Sequence, residues 1–166
     1  KAEGTDSYSY GSETKSLQKM PREIKVKGGT AVEAVQTRTL HGPVVLKGGG
    51  HYFVRRAATW MNEAKSLDSW ISLGSAKSVG DIDAAMKKAT ANFNFFFATK
   101  SGDVGYRYAG NVPLRAGGLD PRLPTPGAAE NEWKGFVPYE QMPKVTNPKG
   151  GLIANWNNKP VSWWPN

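Results

Sequence analysis

The sequence predicts an α+β fold, and two patterns carry that prediction. Apolar residues recur at helical spacing in the middle of the chain, at residues 66–89. On both sides of this region lie runs rich in alternating, β-branched or aromatic residues, separated by glycine-containing turns. Strands that are grouped apart from the helices are typical of α+β folds.

The first strands are predicted around Gly28-Gly29. Residues 22–27 alternate with period two, and residues 32–39 continue in extended-type side chains. Two such runs around a glycine pair predict a β-hairpin. The next segments are predicted as a turn, a short buried strand and a further strand, at residues 40–43, 44–46 and 51–57.

Two helices are predicted in the middle of the chain. Ser66 is the expected N-cap of the first, whose apolar face at i, i+3 and i+4 is Leu67, Trp70 and Ile71. Ser78 and Asp81 have the spacing of a capping box at the start of the second. Its apolar face follows at Ile82, Ala85, Met86 and Ala89, and two further strands are predicted at residues 92–98 and 104–108.

The last third of the chain is predicted to be irregular. Nine of the eleven prolines lie in residues 113–166. Long irregular segments of this kind are typical of active-site loops or of loops that wrap a partner.

Composition excludes several kinds of function. The net charge is +8, but the basic residues are scattered and form no nucleic-acid motif, so they are interpreted as a solvated surface. The absence of cysteine excludes disulfides, thiolate metal sites and cysteine nucleophiles. No apolar run approaches the roughly 20 residues of a membrane span. We therefore expect neither a nucleic-acid nor a membrane partner.

Conventional catalytic motifs are missing. The only histidines, His41 and His51, have no serine or aspartate companion at a recognised spacing, and His41 is interpreted as a turn or packing residue. Of the carboxylate pairs, Asp81 with Asp83 begins a helix, where acids favour the helix dipole. Neither this pair nor Glu130 with Glu132 is predicted to be catalytic.

The C-terminal half contains four motifs in a fixed order. They are DPRLPTPG at 120–127, EWKGFVPYE at 132–140, PKVTNP at 143–148 and IANWNN at 153–158. Their order and spacing resemble those of the β-subunit of penicillin G acylases, and the resemblance covers roughly residues 8–164. The ANWNN form is closer to that branch than to the related acylases for cephalosporins and acyl-homoserine lactones, in which TANN is typical.

The resemblance implies a fold, a reaction and partners. The fold would be part of the αββα arrangement of N-terminal nucleophile hydrolases. The enzyme would cleave the side-chain amide of penicillins and related N-acyl compounds through an acyl-enzyme on an N-terminal serine. That serine is expected upstream of Lys1, so residues 1–166 are expected to form a single segment of the β-subunit and to be inactive alone. The implied partners are a small-molecule amide substrate, the α-subunit and the remainder of the β-subunit.

Four residues match functional positions of the family. Asn157 matches the oxyanion-hole asparagine. Trp70 falls where the family has a tryptophan near the nucleophile, and Phe93 falls where a hydrophobic residue, often isoleucine, lines the acyl pocket. Pro121 matches a residue whose carbonyl helps to hold calcium in the complete enzyme, although no calcium is expected on this segment. The resemblance also implies a periplasmic or secreted location.

Alternatives remain open. Trp70 and Phe93 would also suit an ordinary hydrophobic core, and Asn157 could serve to satisfy loop backbone groups. The function could be that of an acyl-homoserine lactone or cephalosporin acylase, or of a non-catalytic aromatic- and proline-rich binding module.

Overall fold

The computed structural model describes residues 1–4, 6–120, 122–162 and 164, without the side chain of Glu3. Two compact units are present, and each is formed by two stretches of the chain. The first unit contains residues 1–57 and 116–132, and the second contains residues 58–115 and the described part of 133–166. None of the described helices is long and apolar enough to cross a membrane.

The first unit consists of antiparallel strands. In chain order they are β1 (Ala2–Glu3), β2 (Ser7–Tyr10), β3 (Glu13–Ser16), β4 (Gln18–Ile24), β5 (Val32–Thr39), β6 (Gly42–Gly48) and β7 (His51–Val54). β1, β2 and β3 form one sheet in that order, and β4 to β7 form a second sheet in that order. Within each of these two sheets, strands that are consecutive in sequence pair with each other, as in a β-meander.

The hairpin predicted around Gly28-Gly29 is confirmed as the β4–β5 pair, in which Ile24 is opposite Val32. Its first strand ends at Ile24, three residues before the alternation ends. The turn between these strands includes Gly28, whose φ of +75° lies in the left-handed region that glycine adopts without strain.

The predicted burial of residues 44–46 is wrong. The strand is present and longer than predicted, as β6, but the side chains of Val45 and Leu46 are 62% and 60% exposed. An apolar run indicates a strand, but the tertiary structure decides what covers it.

The second unit combines two helices with a three-stranded antiparallel sheet. Its elements are α1 (Lys65–Leu73), α2 (Val79–Met86), β8 (Phe93–Ala98), β9 (Val104–Ala109) and β10 (Lys144–Thr146). The strand order is β10-β9-β8. One hydrophobic core of this unit contains Ile82, Met86 and Ala89 of the predicted apolar face, packed with Ala109 of β9. Ala85, the fourth residue of that face, is also buried.

The predicted cap of α2 is confirmed, whereas that of α1 is wrong. Ser78 accepts a hydrogen bond from the backbone N–H of Asp81, and its own hydroxyl donates to the Asp81 carboxylate. Ser66, in contrast, lies inside α1, which begins at Lys65. Its buried hydroxyl accepts hydrogen bonds from the backbone N–H groups of Thr90 and Ala91. The Ser66 hydroxyl, which the local sequence pattern predicted as a helix cap, therefore makes a tertiary contact instead.

The proline-rich region is irregular, as predicted. Its described part contains two short 3₁₀ turns, at Ala129–Asn131 and Tyr139–Gln141, and strand β10. Loops of this length without regular structure are uncommon unless they serve function.

Candidate active site

Two aromatic side chains of the second unit meet between α1 and β8. The ring centroids of Trp70 and Phe93 are 5.8 Å apart and the rings are tilted by 57°. The Trp70 side chain is 47% exposed and that of Phe93 is 48% exposed. An aromatic pair that is half exposed in the described chain is not a completed core, and its free faces are suited to contact a ligand or a further part of a protein.

An open pocket of about 220 Å³ lies beside this aromatic pair. Its walls come from α1, α2, the segment after α2, β8 and β9. The lining residues are Trp70, Met86, Ala89, Phe93, Asn94, Phe95 and Ala109. A mainly apolar surface with one amide group is the composition expected of a site for a small apolar group.

Asn157 lies in a loop that its asparagine neighbours hold in shape. The backbone N–H of Asn157 donates to Oδ1 of Asn155 at 2.7 Å, and Nδ2 of Asn155 donates to Oδ1 of Asn158 at 3.0 Å. The φ of Asn157 is +66°, in the left-handed region that asparagine tolerates better than most residues. The short amides thus serve the loop backbone, as turn-forming asparagines commonly do.

The pocket and the asparagine loop are connected through Asn94. Nδ2 of Asn94, a pocket-lining residue, donates to Oδ1 of Asn157 at 3.4 Å. Oδ1 of Asn94 accepts a hydrogen bond from the Tyr106 hydroxyl at 2.6 Å. The structure therefore brings three sequence-predicted residues, Trp70, Phe93 and Asn157, to one region of the second unit.

Sequence reasoning missed Asn94 and Tyr106. One signal was present, since Asn94 is a lone amide inside the aromatic run of β8, from Phe93 to Phe97. A polar residue in such a strand needs a hydrogen-bond partner when it is partly buried. The sequence does not indicate that this partner is the hydroxyl of Tyr106, on the neighbouring strand β9.

Both histidines lie in the first unit, and each makes a hydrogen-bond contact there. Nε2 of His41 lies 2.5 Å from Oε1 of Glu132, and Arg56 donates to the other carboxylate oxygen at 2.6 Å. Tyr10 also donates to Glu132, at 3.2 Å. Partial burial raises the pKa of Glu132, but the hydrogen bonds from His41 and Arg56 outweigh it and hold the pKa below its ordinary value. His51 contacts the Gly49 carbonyl.

A partly buried ion pair joins Arg107 and Asp83 in the second unit. Nε of Arg107 donates to Oδ1 of Asp83 at 2.6 Å, and the Arg107 side chain is only 4% exposed. The hydrogen bond from Arg107 lowers the pKa of Asp83, and the Tyr139 hydroxyl adds a second bond to the same oxygen. Asp83 is thus a partner of Arg107 rather than a catalytic acid.

Pro121, the predicted calcium-binding residue, lies outside the described residues. The neighbouring Asp120 carboxylate is paired with the Arg122 guanidinium at 2.7 Å. Among the residues that the structure describes, no group of three or more His, Asp or Glu side chains could hold a metal ion.

Comparison with known proteins assigns the family. A family model described as penicillin amidase matches residues 1–165. Penicillin G acylase of Escherichia coli is 36% identical over 144 residues, which are 86% of this chain and 17% of that protein. Penicillin acylase 2 proenzyme of Pseudomonas sp. (strain SE83) is 31% identical over 163 residues, which are 92% of this chain and 20% of that protein.

The fold agrees with this assignment. A thermostable penicillin G acylase from Alcaligenes faecalis superimposes with a TM-score of 0.91 at 27% identity, over 97% of this chain and 30% of that chain. The predicted α+β fold, a part of the N-terminal nucleophile hydrolase arrangement, is confirmed. The chain spans a fifth or less of the length of the two curated relatives. By sequence and by fold, this chain belongs to the penicillin amidase family.

Proposed function

We propose that residues 1–166 are part of a penicillin amidase-type hydrolase that cleaves the side-chain amide of penicillins and related N-acyl compounds. In this proposal Trp70 and Phe93 line the site for the acyl side chain. Asn157 stabilises the negative charge that develops on the carbonyl oxygen during the reaction. The family assignment supports the reaction class, and the site geometry supports the roles of the residues.

One observation carries the proposal. Trp70 and Phe93 line a mainly apolar pocket, and Asn157 is hydrogen-bonded to Asn94, which lines the same pocket. An amide substrate needs this combination, an apolar surface for its acyl group and a hydrogen-bond donor for its carbonyl oxygen. A phenylacetyl-type group would suit the two aromatic side chains, since aromatic rings prefer tilted or offset contacts at such distances.

The reaction follows the chemistry of an activated serine. The hydroxyl oxygen of an N-terminal serine attacks the amide carbon, and its proton passes to the α-amino group of that serine. The Nδ2 group of Asn157 donates to the oxyanion of the tetrahedral intermediate. The α-ammonium group then returns this proton to the amide nitrogen, the C–N bond breaks and the amine leaves. A water molecule attacks the acyl carbon of the acyl-enzyme, its proton passes through the α-amino group to the serine oxygen, and the acid is released. The proposed nucleophile lies outside residues 1–166, and Asn157 would act on a group that another part of the enzyme supplies.

The partners follow from this division of the site. We expect an α-subunit and the remainder of the β-subunit to complete the pocket, against the half-exposed faces of Trp70 and Phe93. We also expect the enzyme to act in the periplasm or outside the cell. Cell fractionation with an antibody against this chain tests the location, and recovery in the cytoplasm would contradict it.

The test of function uses the complete acylase that contains residues 1–166, the chain alone and an Asn157→Ala variant. The complete acylase should hydrolyse a phenylacetylated amide, and the chain alone should not. Asn157→Ala should lower kcat about 10²–10³-fold with little change in KM, because the lost interaction forms only in the transition state. Asn131→Ala is the control, since the side-chain amide of Asn131 donates to a loop carbonyl, that of Pro126.

Each alternative has its own outcome. Faster turnover of an N-acyl-homoserine lactone than of the phenylacetylated amide would identify the other acylase branch. Binding of phenylacetylated amides without turnover by the complete protein would identify a binding module. Activity of the 166-residue chain alone would show that the nucleophile lies within it, and an unchanged kcat in Asn157→Ala would remove Asn157 from the reaction.

A further inference from the structure

The Asn157 side chain can stabilise an oxyanion only when its nitrogen, and not its oxygen, faces the substrate. A carboxamide has two donor hydrogens at one end and an acceptor oxygen at the other, and rotation by 180° exchanges the two ends. In the wrong orientation the oxygen would repel the negative charge that develops in the reaction. The surrounding structure must therefore set the orientation of this amide.

The Asn157 oxygen is already engaged within the second unit. It accepts the hydrogen bond from Nδ2 of Asn94 at 3.4 Å. Within the described part of the chain, Nδ2 of Asn157 has no hydrogen-bond partner. The end of the amide that an oxyanion requires is thus available, and the other end is bound to the protein.

The orientation of Asn94 is set in the same way by Tyr106. The Tyr106 hydroxyl donates to Oδ1 of Asn94 at 2.6 Å, which leaves Nδ2 of Asn94 to donate to Asn157. The Tyr106 side chain is buried, and its ring contacts that of Phe96 on the neighbouring strand at a centroid distance of 5.2 Å. Burial also raises the pKa of Tyr106 to about 12, so that the hydroxyl keeps its proton even in mildly alkaline solution.

The β-sheet fixes the distance between Tyr106 and Asn94. Asn94 is on β8 and Tyr106 is on β9, and the register pairs Phe96 with Tyr106 and Asn94 with Tyr108. Asn94 and Tyr106 are therefore diagonal neighbours on one face of the sheet, within reach of a long side chain. A rigid sheet is a better support for a reacting group than the asparagine loop alone.

We propose that Tyr106 and Asn94 are positioning residues that fix the orientation of the Asn157 amide, so that its nitrogen faces the substrate carbonyl. The hydrogen bonds run in one direction, from the Tyr106 hydroxyl through the Asn94 amide to the Asn157 amide. The inference rests on the proposed function, because it requires Asn157 to be the donor to the oxyanion. Neither Tyr106 nor Asn94 donates to the oxyanion itself.

The first experiment is a double-mutant cycle in the complete acylase. Tyr106→Phe removes the first donor and should lower kcat about three- to tenfold, with KM nearly unchanged. In the Asn157→Ala background the same substitution should have no further effect on kcat, because the orientation of an absent amide no longer matters. A merely structural role of Tyr106 would lower kcat in both backgrounds alike.

Tyr108→Phe is the matched control. Tyr108 is two residues further along β9, and its ring packs edge-on against Trp164 at 5.1 Å. Its hydroxyl makes no hydrogen bond among the residues that the structure describes, so its removal should leave kcat unchanged. Thermal denaturation of each variant shows that the compared proteins are folded.

The second experiment uses Asn94→Asp and does not depend on the tyrosine. At neutral pH the carboxylate cannot donate to Asn157, and kcat should fall about tenfold or more. As the pH is lowered, a protonated carboxyl can donate, so the ratio of variant to parent kcat should rise. A ratio that stays constant between pH 7 and pH 4 would contradict the inference.

The outcomes separate the inference from the function on which it rests. An unchanged kcat in Asn157→Ala removes the proposed role of Asn157, and the inference with it. A slow Asn157→Ala enzyme with a parent-like Tyr106→Phe enzyme, or with equal effects of Tyr106→Phe in both backgrounds, overturns the inference alone. Non-additivity in the cycle together with the pH-dependent recovery of Asn94→Asp supports it.

Discussion

Ser66 holds α1 to the segment that leads into β8 through its contact with Thr90. The two hydroxyls lie 2.9 Å apart in the interior of the second unit, and Ser66 also accepts from the Thr90 backbone N–H at 3.0 Å. Trp70 is one turn after Ser66 on α1, and Phe93 is three residues after Thr90. This anchor therefore helps to set the distance between the two aromatic walls of the pocket.

Ser66→Ala should destabilise the protein, whereas Ser69→Ala should not. Without the Ser66 hydroxyl, the buried N–H group of Thr90 and the partly buried one of Ala91 lose their acceptor, at a cost of about 2–3 kcal/mol. Ser69 is fully buried on the same helix, and its hydroxyl has no partner in the described chain. Its removal should be neutral or stabilise by up to about 1 kcal/mol. Urea denaturation of both variants measures the difference, and equal losses would contradict the assignment.

Asp83→Asn should weaken the second unit at neutral pH, because it leaves the buried Arg107 guanidinium without its carboxylate. We expect a loss of about 1–3 kcal/mol in the free energy of unfolding, since Asp83 itself is 34% exposed. Asp120→Asn is the control, because Asp120 is equally exposed but its partner Arg122 is 78% exposed. The control should leave stability nearly unchanged.

The same ion pair predicts a loss of stability in acid. The pKa of Asp83 is lowered in the folded protein, so its contribution is fully present above the ordinary pKa of 3.8 and is lost as pH falls through the lowered value. The parent should therefore lose stability from about pH 4 downwards. Asp83→Asn should show a shallower loss over that range, and parallel curves would exclude Asp83 as a cause.

Gly110→Ala should be far more destabilising than Gly102→Ala. Both glycines have φ in the left-handed region, at +107° and +95°, so both substitutions introduce backbone strain. A Cβ at Gly110 would lie 2.4 Å from the backbone oxygen of Ala91, whereas one at Gly102 would meet nothing within 4 Å. We expect a difference of at least about 2 kcal/mol, measured by urea denaturation. Similar losses of unfolding free energy in the two variants would show that backbone strain, and not the contact with Ala91, determines the effect.

Phe93→Ile should change the acyl preference of the complete acylase. A smaller side chain enlarges the pocket beside Trp70, and the ratio of kcat/KM between a bulkier acyl group and phenylacetyl should rise about tenfold. Phe136→Ile is the control, because Phe136 is also partly exposed but is not among the residues that line the pocket. An unchanged ratio would remove Phe93 from the acyl site.

The sequence was a good guide to elements and a partial guide to the site. The resemblance implies roles for Trp70, Phe93 and Asn157, and the structure brings these residues to one region of the second unit. Asn94 was missed because its link to Asn157 joins residues 63 positions apart. No local pattern carries information about such a contact.

Local rules were sufficient where neighbours in sequence decide the outcome. The capping pair Ser78 and Asp81, the apolar face of α2 and the β4–β5 hairpin could all be predicted, because hydrogen-bond geometry and side-chain period are short-range properties. The tertiary structure alone decided what each side chain contacts. It placed Ser66 inside a helix as an anchor and left Val45 and Leu46 uncovered. It also brought Asn94 within hydrogen-bond distance of Asn157, because burial and long-range hydrogen bonds depend on which segments the fold brings together.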